Sequence, residues 1–100
     1  MLTIDKKIKD DSACFALSGR LDTVTAPQLY DEIAEVRDGL KELILDCESL
    51  EYISSAGLRV LLSNQKAMTK QEGTMKLIHV NETIMEIFEV TGFSEILTIE

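Results

Sequence analysis

The sequence predicts a single α/β domain, residues 1–100, in which about three to four helices pack on a mixed sheet of four to five strands. Three observations support this class. The chain has 100 residues, with 45% hydrophobic and 28% charged residues, which is ordinary for one small globular domain. Two apolar segments separated by a tight turn open the chain. Apolar segments of strand length then alternate with amphipathic segments of helix length.

The opening segments predict a β-hairpin. Leu2, Ile4 and Ile8 are compatible with a half-exposed first strand. Ala13–Leu17 is a denser apolar run, as expected of a strand covered on both faces. Asp10–Ser12 between them is typical of a tight turn, so the two strands should pair.

The first helix has clear start and stop signals. Thr25 and Gln28 have the spacing of a capping box. In such a box the Thr25 side chain accepts from the backbone N–H three residues on, and the Gln28 side chain reaches back to the start of the helix. Gly39 is placed to end the helix in a left-handed conformation. One apolar face runs along this segment and is made of Leu29, Ile33, Val36 and Leu40.

Two further apolar segments predict the parallel part of the sheet. Leu43–Leu45 and Met75–Ile78 read as short, neighbouring central strands, and Asp46–Tyr52 as the exit of the first toward a loop. Function in such sheets is usually found in the loops that leave the carboxyl ends of the strands. The sequence therefore indicates that the segment 46–57 carries the function.

The second and third helices follow these strands. The second begins near Ser54 or Ser55 and ends at Gly73. Asn81 caps the third helix, which ends before Gly92. The inner face of the second helix carries Leu58, Leu61, Leu62 and Met68, and Leu97–Ile99 can add a closing strand.

The charge balance excludes several classes of partner. With 10 basic and 18 acidic residues the net charge is −8, which argues against binding to nucleic acid or to an anionic membrane. No segment has the length of apolar residues that a membrane span or a signal peptide needs. Cys14 and Cys47 lie in apolar runs, and we expect both to be reduced, buried and inert. These features predict a cytoplasmic monomer.

Two polar groups are candidates for function. Ser54 and Ser55 stand where the strand's exit meets the second helix, so each is either a helix cap or a phosphorylation site. Asp22, just before the first helix, is either a turn-forming carboxylate or a surface acid beside the serine loop. As a surface acid it could orient a partner's base or a magnesium-bound nucleotide.

Catalytic arrangements are mostly missing from the sequence. His79 is the only histidine and lies at a strand end, the nucleophile elbow and the phosphate-binding loop are absent, and no cluster of metal ligands can be built. We therefore predict a protein that is not an enzyme and has no cofactor. A hydrolase or transferase with Ser55 as nucleophile remains an alternative, and it requires His79 within about 3 Å of the Ser55 hydroxyl.

Three motifs together resemble the STAS domain family, specifically the small stand-alone bacterial anti-sigma factor antagonists. Gly19–Asp22 resembles the family's segment before the first helix, and Leu43–Asp46 its central strand. Tyr52–Leu58 resembles the Asp-Ser-Ser/Thr-Gly-Leu signature at the start of the second helix. The resemblance covers nearly the whole chain, and it implies a STAS-like single domain.

The resemblance implies a partner-switching protein in transcription regulation. In that family the unphosphorylated antagonist binds an anti-sigma factor that is also a serine kinase, which frees a sigma factor. The kinase uses ATP and magnesium to phosphorylate the signature serine, and a metal-dependent serine phosphatase resets the cycle. The matching phosphoacceptor is Ser55, and Asp22 matches an aspartate near the kinase contact surface. The implied partner-binding residues are Asp22, Thr23, Ser54, Ser55, Ala56, Gly57, Leu58 and Arg59.

The signature departs from the family pattern at two positions. Ser54 replaces the usual aspartate and Ala56 replaces the following Ser/Thr. The first change could weaken kinase recognition, move phosphorylation to Ser54, or mark a module that is not phosphorylated. The alternative function is therefore a STAS scaffold subunit of a sensory or lipid-transport complex, in which Ser55→Asp and Ser55→Ala would bind alike.

Overall fold

The computed structural model describes residues 1–100, with four strands and three α-helices in one chain. None of the helices is both long enough and apolar enough to cross a membrane. The elements in chain order are β1 (Leu2–Lys9), β2 (Ser12–Leu21), α1 (Ala26–Arg37), β3 (Glu42–Ile53), α2 (Ser55–Lys70), β4 (Thr74–Ile78), α3 (Glu82–Thr91) and a 3-10 turn (Phe93–Glu95).

The four strands form one mixed sheet in the order β1-β2-β3-β4. The β1–β2 hairpin is antiparallel, whereas β2–β3 and β3–β4 are parallel, so the predicted α/β class and opening hairpin are confirmed. The prediction that β4 is a central strand is wrong, because β4 lies at the edge of the sheet. The predicted closing strand is reduced to a single parallel bridge between Leu77 and Ile99.

The hydrophobic core lies on one face of the sheet. Alternate positions of β2 are buried, including Phe15 and Leu17, while Cys14 and Ala16 between them are only half-buried. The same alternation runs through β3 and β4, and the buried set joins the inner faces of all three helices in one cluster. The prediction that Ala13–Leu17 is covered on both faces is therefore wrong, because the helices cover one face and leave the other uncovered.

Strand β3 is much longer than predicted. Instead of ending at Leu45 and leaving through a loop, it continues as a strand to Ile53. It can do so because β2 runs beside it to Leu21, and two register shifts absorb the irregular part of the pairing. Leu50 and Ile53 are buried in the core as a result.

The helix ends follow the predicted signals with two exceptions. Gly39 and Gly92 have φ of +85° and +82°, which confirms their left-handed conformation after α1 and α3. The predicted capping box of α1 is wrong, because the Thr25 side chain makes no cap hydrogen bond to the helix. Helix α2 ends at Lys70, before the predicted Gly73.

The two cysteines are free and occupy different environments. Cys47 is buried, and burial raises the pKa of its thiol to about 12. Cys14 is half-buried on the uncovered face of the sheet, where burial and the nearby Asp46 charge raise its thiol pKa. The prediction of a buried residue is thus confirmed for Cys47 and wrong for Cys14. Both thiols are held in the protonated, weakly nucleophilic form.

Candidate functional site

The ends of β2 and β3 bring the two predicted functional segments together. Leu21 and Ile53 are paired in register, and the Ser54 N–H donates to the Leu21 carbonyl at 2.9 Å. The turn that begins with Asp22 therefore leaves the sheet next to the first residue of α2, which is Ser55.

The two serines at the start of α2 have different roles. Ser54 is the N-cap: its backbone is extended, and its Oγ accepts from the Gly57 N–H at 3.4 Å. Its carbonyl accepts from the Leu58 N–H at 2.9 Å, which closes the first turn. Ser55 is exposed, and no hydrogen bond engages its hydroxyl. One serine thus stabilises the helix, and the other presents a hydroxyl without a hydrogen-bond partner to solvent.

The next residues of the signature lie beneath this surface. A Cβ added at Gly57 would lie 2.8 Å from both the Leu21 Cγ and the Ile53 Cγ1 atoms, so only glycine lets α2 pack this closely on the strand ends. Leu58 is buried in the core and Ala56 is half-buried. Of the predicted partner-binding set, Thr23, Ser55 and Arg59 are the exposed members.

Asp22 orders the turn before α1. Its Oδ1 accepts from the N–H groups of Val24 at 3.0 Å and Thr25 at 3.1 Å, while the Thr25 Oγ1 accepts from the Asp22 N–H at 2.8 Å. The Thr25 hydroxyl also donates to the Arg20 carbonyl at 2.7 Å, which explains why it does not cap α1. The hydrogen bond from the Thr25 N–H is the main cause that lowers the pKa of the Asp22 carboxyl. In the structure Asp22 thus acts as the turn-forming carboxylate, one of the two roles predicted for it.

An arginine and a tyrosine extend the exposed surface beside Asp22. The Arg20 guanidinium carbon lies 4.3 Å from the centre of the Tyr52 ring, and its Nε lies 3.8 Å from the Asp22 Oδ2. Val24, on the turn before α1, is 84% exposed. The sequence alone did not indicate this group, because the pairing of Arg20 with Tyr52 depends on the β2–β3 register.

Asn81 connects α3 to the far end of β3. Its Oδ1 accepts from the Ile84 N–H at 3.0 Å, which confirms the predicted cap. Its Nδ2 also donates to the carbonyls of Leu50 at 2.9 Å, Cys47 at 3.2 Å and Glu48 at 3.4 Å. These carbonyls belong to the part of β3 that has passed the end of β4. Asn81 therefore holds the stretch of chain that leads to Ser54.

His79 lies at the end of β4 and contacts two acids. Its Nδ1 is 3.1 Å from the Asp46 Oδ1 and 3.8 Å from the Glu48 Oε2. No hydrogen bond joins it to Ser55, although the nucleophile alternative requires a base at that hydroxyl. The structure contains no group of three His, Cys, Asp or Glu side chains arranged to hold a metal ion.

Known proteins are similar to this chain in sequence and in architecture. BtrV of Bordetella bronchiseptica, which its name places among the anti-sigma factor antagonists, is 36% identical over 99 residues, covering 98% of this chain and 84% of BtrV. The crystal structure of an anti-sigma factor antagonist from Mycobacterium paratuberculosis has a TM-score of 0.85 at 25% identity, covering 99% of this chain and 85% of that one. Phosphorylated SpoIIAA of Bacillus has the same fold, with a TM-score of 0.77 at 17% identity over 98% of this chain and 91% of SpoIIAA. Residues 3–100 match the STAS domain family, and the chain belongs to it.

Proposed function

We propose that this protein is an anti-sigma factor antagonist whose binding is switched by phosphorylation of Ser55. In the unphosphorylated form it binds an anti-sigma factor that is also a serine kinase, and this frees a sigma factor in the cytoplasm. Phosphorylation of Ser55 releases the complex, and a metal-dependent serine phosphatase restores the starting form. Membership of the family and the similarity to BtrV over nearly the whole chain support this function.

One observation carries the choice of Ser55 over Ser54. The Ser55 hydroxyl is exposed and has no hydrogen-bond partner, whereas the Ser54 hydroxyl is engaged as the N-cap of α2. Phosphorylation of Ser54 would alter a hydroxyl that the fold uses as a cap, whereas phosphorylation of Ser55 modifies a hydroxyl that makes no hydrogen bond. Ser54 also supplies the acceptor oxygen that an aspartate at the same position would supply, so the departure from the family signature keeps the helix start intact.

The chemical step needs only one group from this chain. The Ser55 Oγ attacks the γ-phosphorus of ATP, the bond from that phosphorus to the β–γ bridging oxygen breaks, and ADP leaves. The hydroxyl proton passes to a base of the kinase. The kinase also supplies the magnesium site. The antagonist contributes a nucleophile on a rigid helix start, which the kinase can approach from solvent.

A phosphate on Ser55 would place its negative charge at the end of α2 that favours anions. The phosphate carries about −1.5 to −2 charges and lies at the positive end of α2, where the first N–H groups have no partner in the helix. Helix α2 has no acidic residue in its first turn, so nothing on the helix repels the phosphate there. We therefore expect the fold to persist after phosphorylation, so that the switch acts on partner binding.

The test combines mass spectrometry with binding. The protein is incubated with a candidate anti-sigma factor kinase from the same genome and Mg-ATP, and then analysed by intact mass and peptide mapping. We expect a single phosphate on Ser55, none on Ser55→Ala, and normal modification of Ser54→Ala. In binding assays Ser55→Ala should still bind the kinase. Ser55→Asp should bind it with an affinity at least tenfold lower, which corresponds to about 1.4 kcal/mol.

Two results would contradict the proposal. One is phosphate on Ser54 in the wild-type chain. The other is equal binding of Ser55→Asp and Ser55→Ala, which is the behaviour of a scaffold subunit. The kinase must first be shown to modify another antagonist, so that a lack of phosphate reports on this chain and not on an inactive kinase.

A further inference from the structure

Arg59 is an arginine without a partner, one helical turn after Ser55. The chain has three arginines, and two of them are engaged: Arg20 lies on the Tyr52 ring, and Arg37 donates to the Asn64 Oδ1 at 2.8 Å. Arg59 forms no ion pair with an acidic side chain and lies over no aromatic ring. It is exposed on α2, in a chain with a net charge of −8. Arg59 is thus the one arginine of this chain whose guanidinium has no side-chain partner.

The helix places this guanidinium beside the phosphoacceptor. Ser55 and Arg59 are four residues apart in α2, and both are exposed. Residues with this spacing are neighbours on the helix surface, with about 5–6 Å between their Cβ atoms. The long arginine side chain can reach an oxygen three bonds beyond the Cβ of residue 55 without any change in the backbone.

We propose that Arg59 pairs with the phosphate on Ser55 and acts as its counter-charge within the same helix. This inference rests on the proposed function, because it concerns the phosphorylated form. The planar guanidinium presents several N–H donors in a geometry that suits phosphate oxygens. The first N–H groups of α2, which have no partner within the helix, lie at the same end of α2 as this phosphate.

The other basic side chains near Ser55 are less suited to this role than Arg59. Lys66 and Lys70, the remaining basic residues of α2, lie about 16 Å and about 22 Å further along the helix axis than Ser55. The Arg20 guanidinium is already held by Asp22 and the Tyr52 ring. Arg59 is therefore the basic side chain of α2 that can reach the phosphate.

This pairing gives phosphorylation a second effect on the partner surface. In the unphosphorylated form Arg59 is exposed one turn after Ser55 and is open to an acidic group of a partner. In the phosphorylated form the same guanidinium is occupied by the phosphate. Modification of Ser55 therefore adds negative charge to the surface and withdraws a cation from it at the same time.

The test measures the protonation of the phosphate itself. Phosphoserine is placed at position 55 of the full chain during translation, and its second pKa, which is about 6 in free peptides, is measured by phosphorus NMR. We expect Arg59→Gln to raise this pKa by about 0.3–0.6 units, because a cation at this spacing favours the dianion. Arg59→Lys should restore part of the shift. Lys66→Gln removes the same charge three turns away and should leave the pKa unchanged.

Equal pKa values in the parent, Arg59→Gln and Lys66→Gln proteins would overturn the proposal. Such a result would mean that the helix N–H groups and solvent hold the phosphate alone. Because the phosphoserine is incorporated directly, this experiment does not depend on any kinase. Failure of a kinase to modify Ser55 would contradict the proposed function and leave the Arg59 result standing, and the converse also holds.

Discussion

Helices α2 and α3 begin with similar N-caps but differ in the charge of their first turns. Each begins after an extended polar residue whose side chain accepts the N–H three residues on, at 3.4 Å for Ser54 and 3.0 Å for Asn81. The α3 cap also donates to three carbonyls of β3, and Glu82 places an acid in the first turn. The α2 start has one long cap bond, no acid, and the unpaired hydroxyl of Ser55.

The difference separates a structural helix start from one that can receive charge. At α3 the positive helix end is already balanced by Glu82, so a further negative charge would gain little. At α2 that balance is missing, and a negative group near the first turn is worth about 0.3–1 kcal/mol to the helix. More of the polar groups that stabilise the fold thus lie at the start of α3, and the proposed phosphorylation site lies at the start of α2.

Removing the α3 cap should have the largest effect on stability. We expect Asn81→Ala to lower the free energy of unfolding by about 2–3 kcal/mol, because the cap and the donors to the β3 carbonyls are lost together. Asn81→Ser keeps a cap acceptor but lacks the amide donors, so its stability should lie between those of the wild-type protein and Asn81→Ala. Urea denaturation measures the difference. A loss within about 0.5 kcal/mol for Asn81→Ala would show that the β3 carbonyls find other partners.

Adding a methyl group at Gly57 should lower the stability almost as much. We expect Gly57→Ala to destabilise the protein by about 1–3 kcal/mol, because the added methyl group meets Leu21 and Ile53 and forces α2 away from the strand ends. Gly39→Ala is the matched control: nothing lies within 4 Å of its added Cβ, so only its φ of +85° opposes the change. Equal or greater stability of Gly57→Ala in urea would mean that the first turn of α2 moves aside easily.

The two adjacent serines provide a sharper contrast with smaller effects. Ser54→Ala should lower the free energy of unfolding by about 1 kcal/mol, because the cap of α2 is lost. Ser55→Ala should change it by less than about 0.5 kcal/mol, since its hydroxyl has no partner in the fold. Thermal or urea unfolding of both variants distinguishes the roles. The reverse order of effects would assign the cap to Ser55.

The turn before α1 should show the smallest effect, as a dependence on pH. The pKa of the Asp22 carboxyl lies below its ordinary value of 3.8, first because the Thr25 N–H donates to it. A carboxylate with a lowered pKa in the folded state stabilises the fold above that ordinary value, and this contribution is lost as the pH falls through the folded value. As the pH falls below that ordinary value of 3.8, wild-type protein should therefore lose more stability than Asp22→Asn. If the urea midpoints of the two proteins fall by the same amount across this range, the Asp22 carboxylate does not stabilise the fold in this way.

Local chemistry in the sequence determined the elements and the candidate serines. The turn at Asp10–Ser12, the glycines after α1 and α3, and the cap at Asn81 each act within a few residues, so their signals can be read from the chain alone. The pair of serines at a strand-to-helix junction is a signal of the same kind. The order of strands and helices also follows from local periodicity.

Contacts between distant segments decided what the sequence could not. The length of β3, the uncovered face of the sheet and the edge position of β4 depend on which strands pair and on which face the helices pack. One local feature was also decided only in the structure: the Thr25 hydroxyl, predicted to cap α1, instead accepts from the Asp22 N–H and donates to the Arg20 carbonyl. The choice of Ser54 as cap and Ser55 as the exposed hydroxyl was made by the approach of α2 to Leu21 and Ile53. Adjacent residues of the same type can differ only through such packing, because their local sequence preferences are nearly the same.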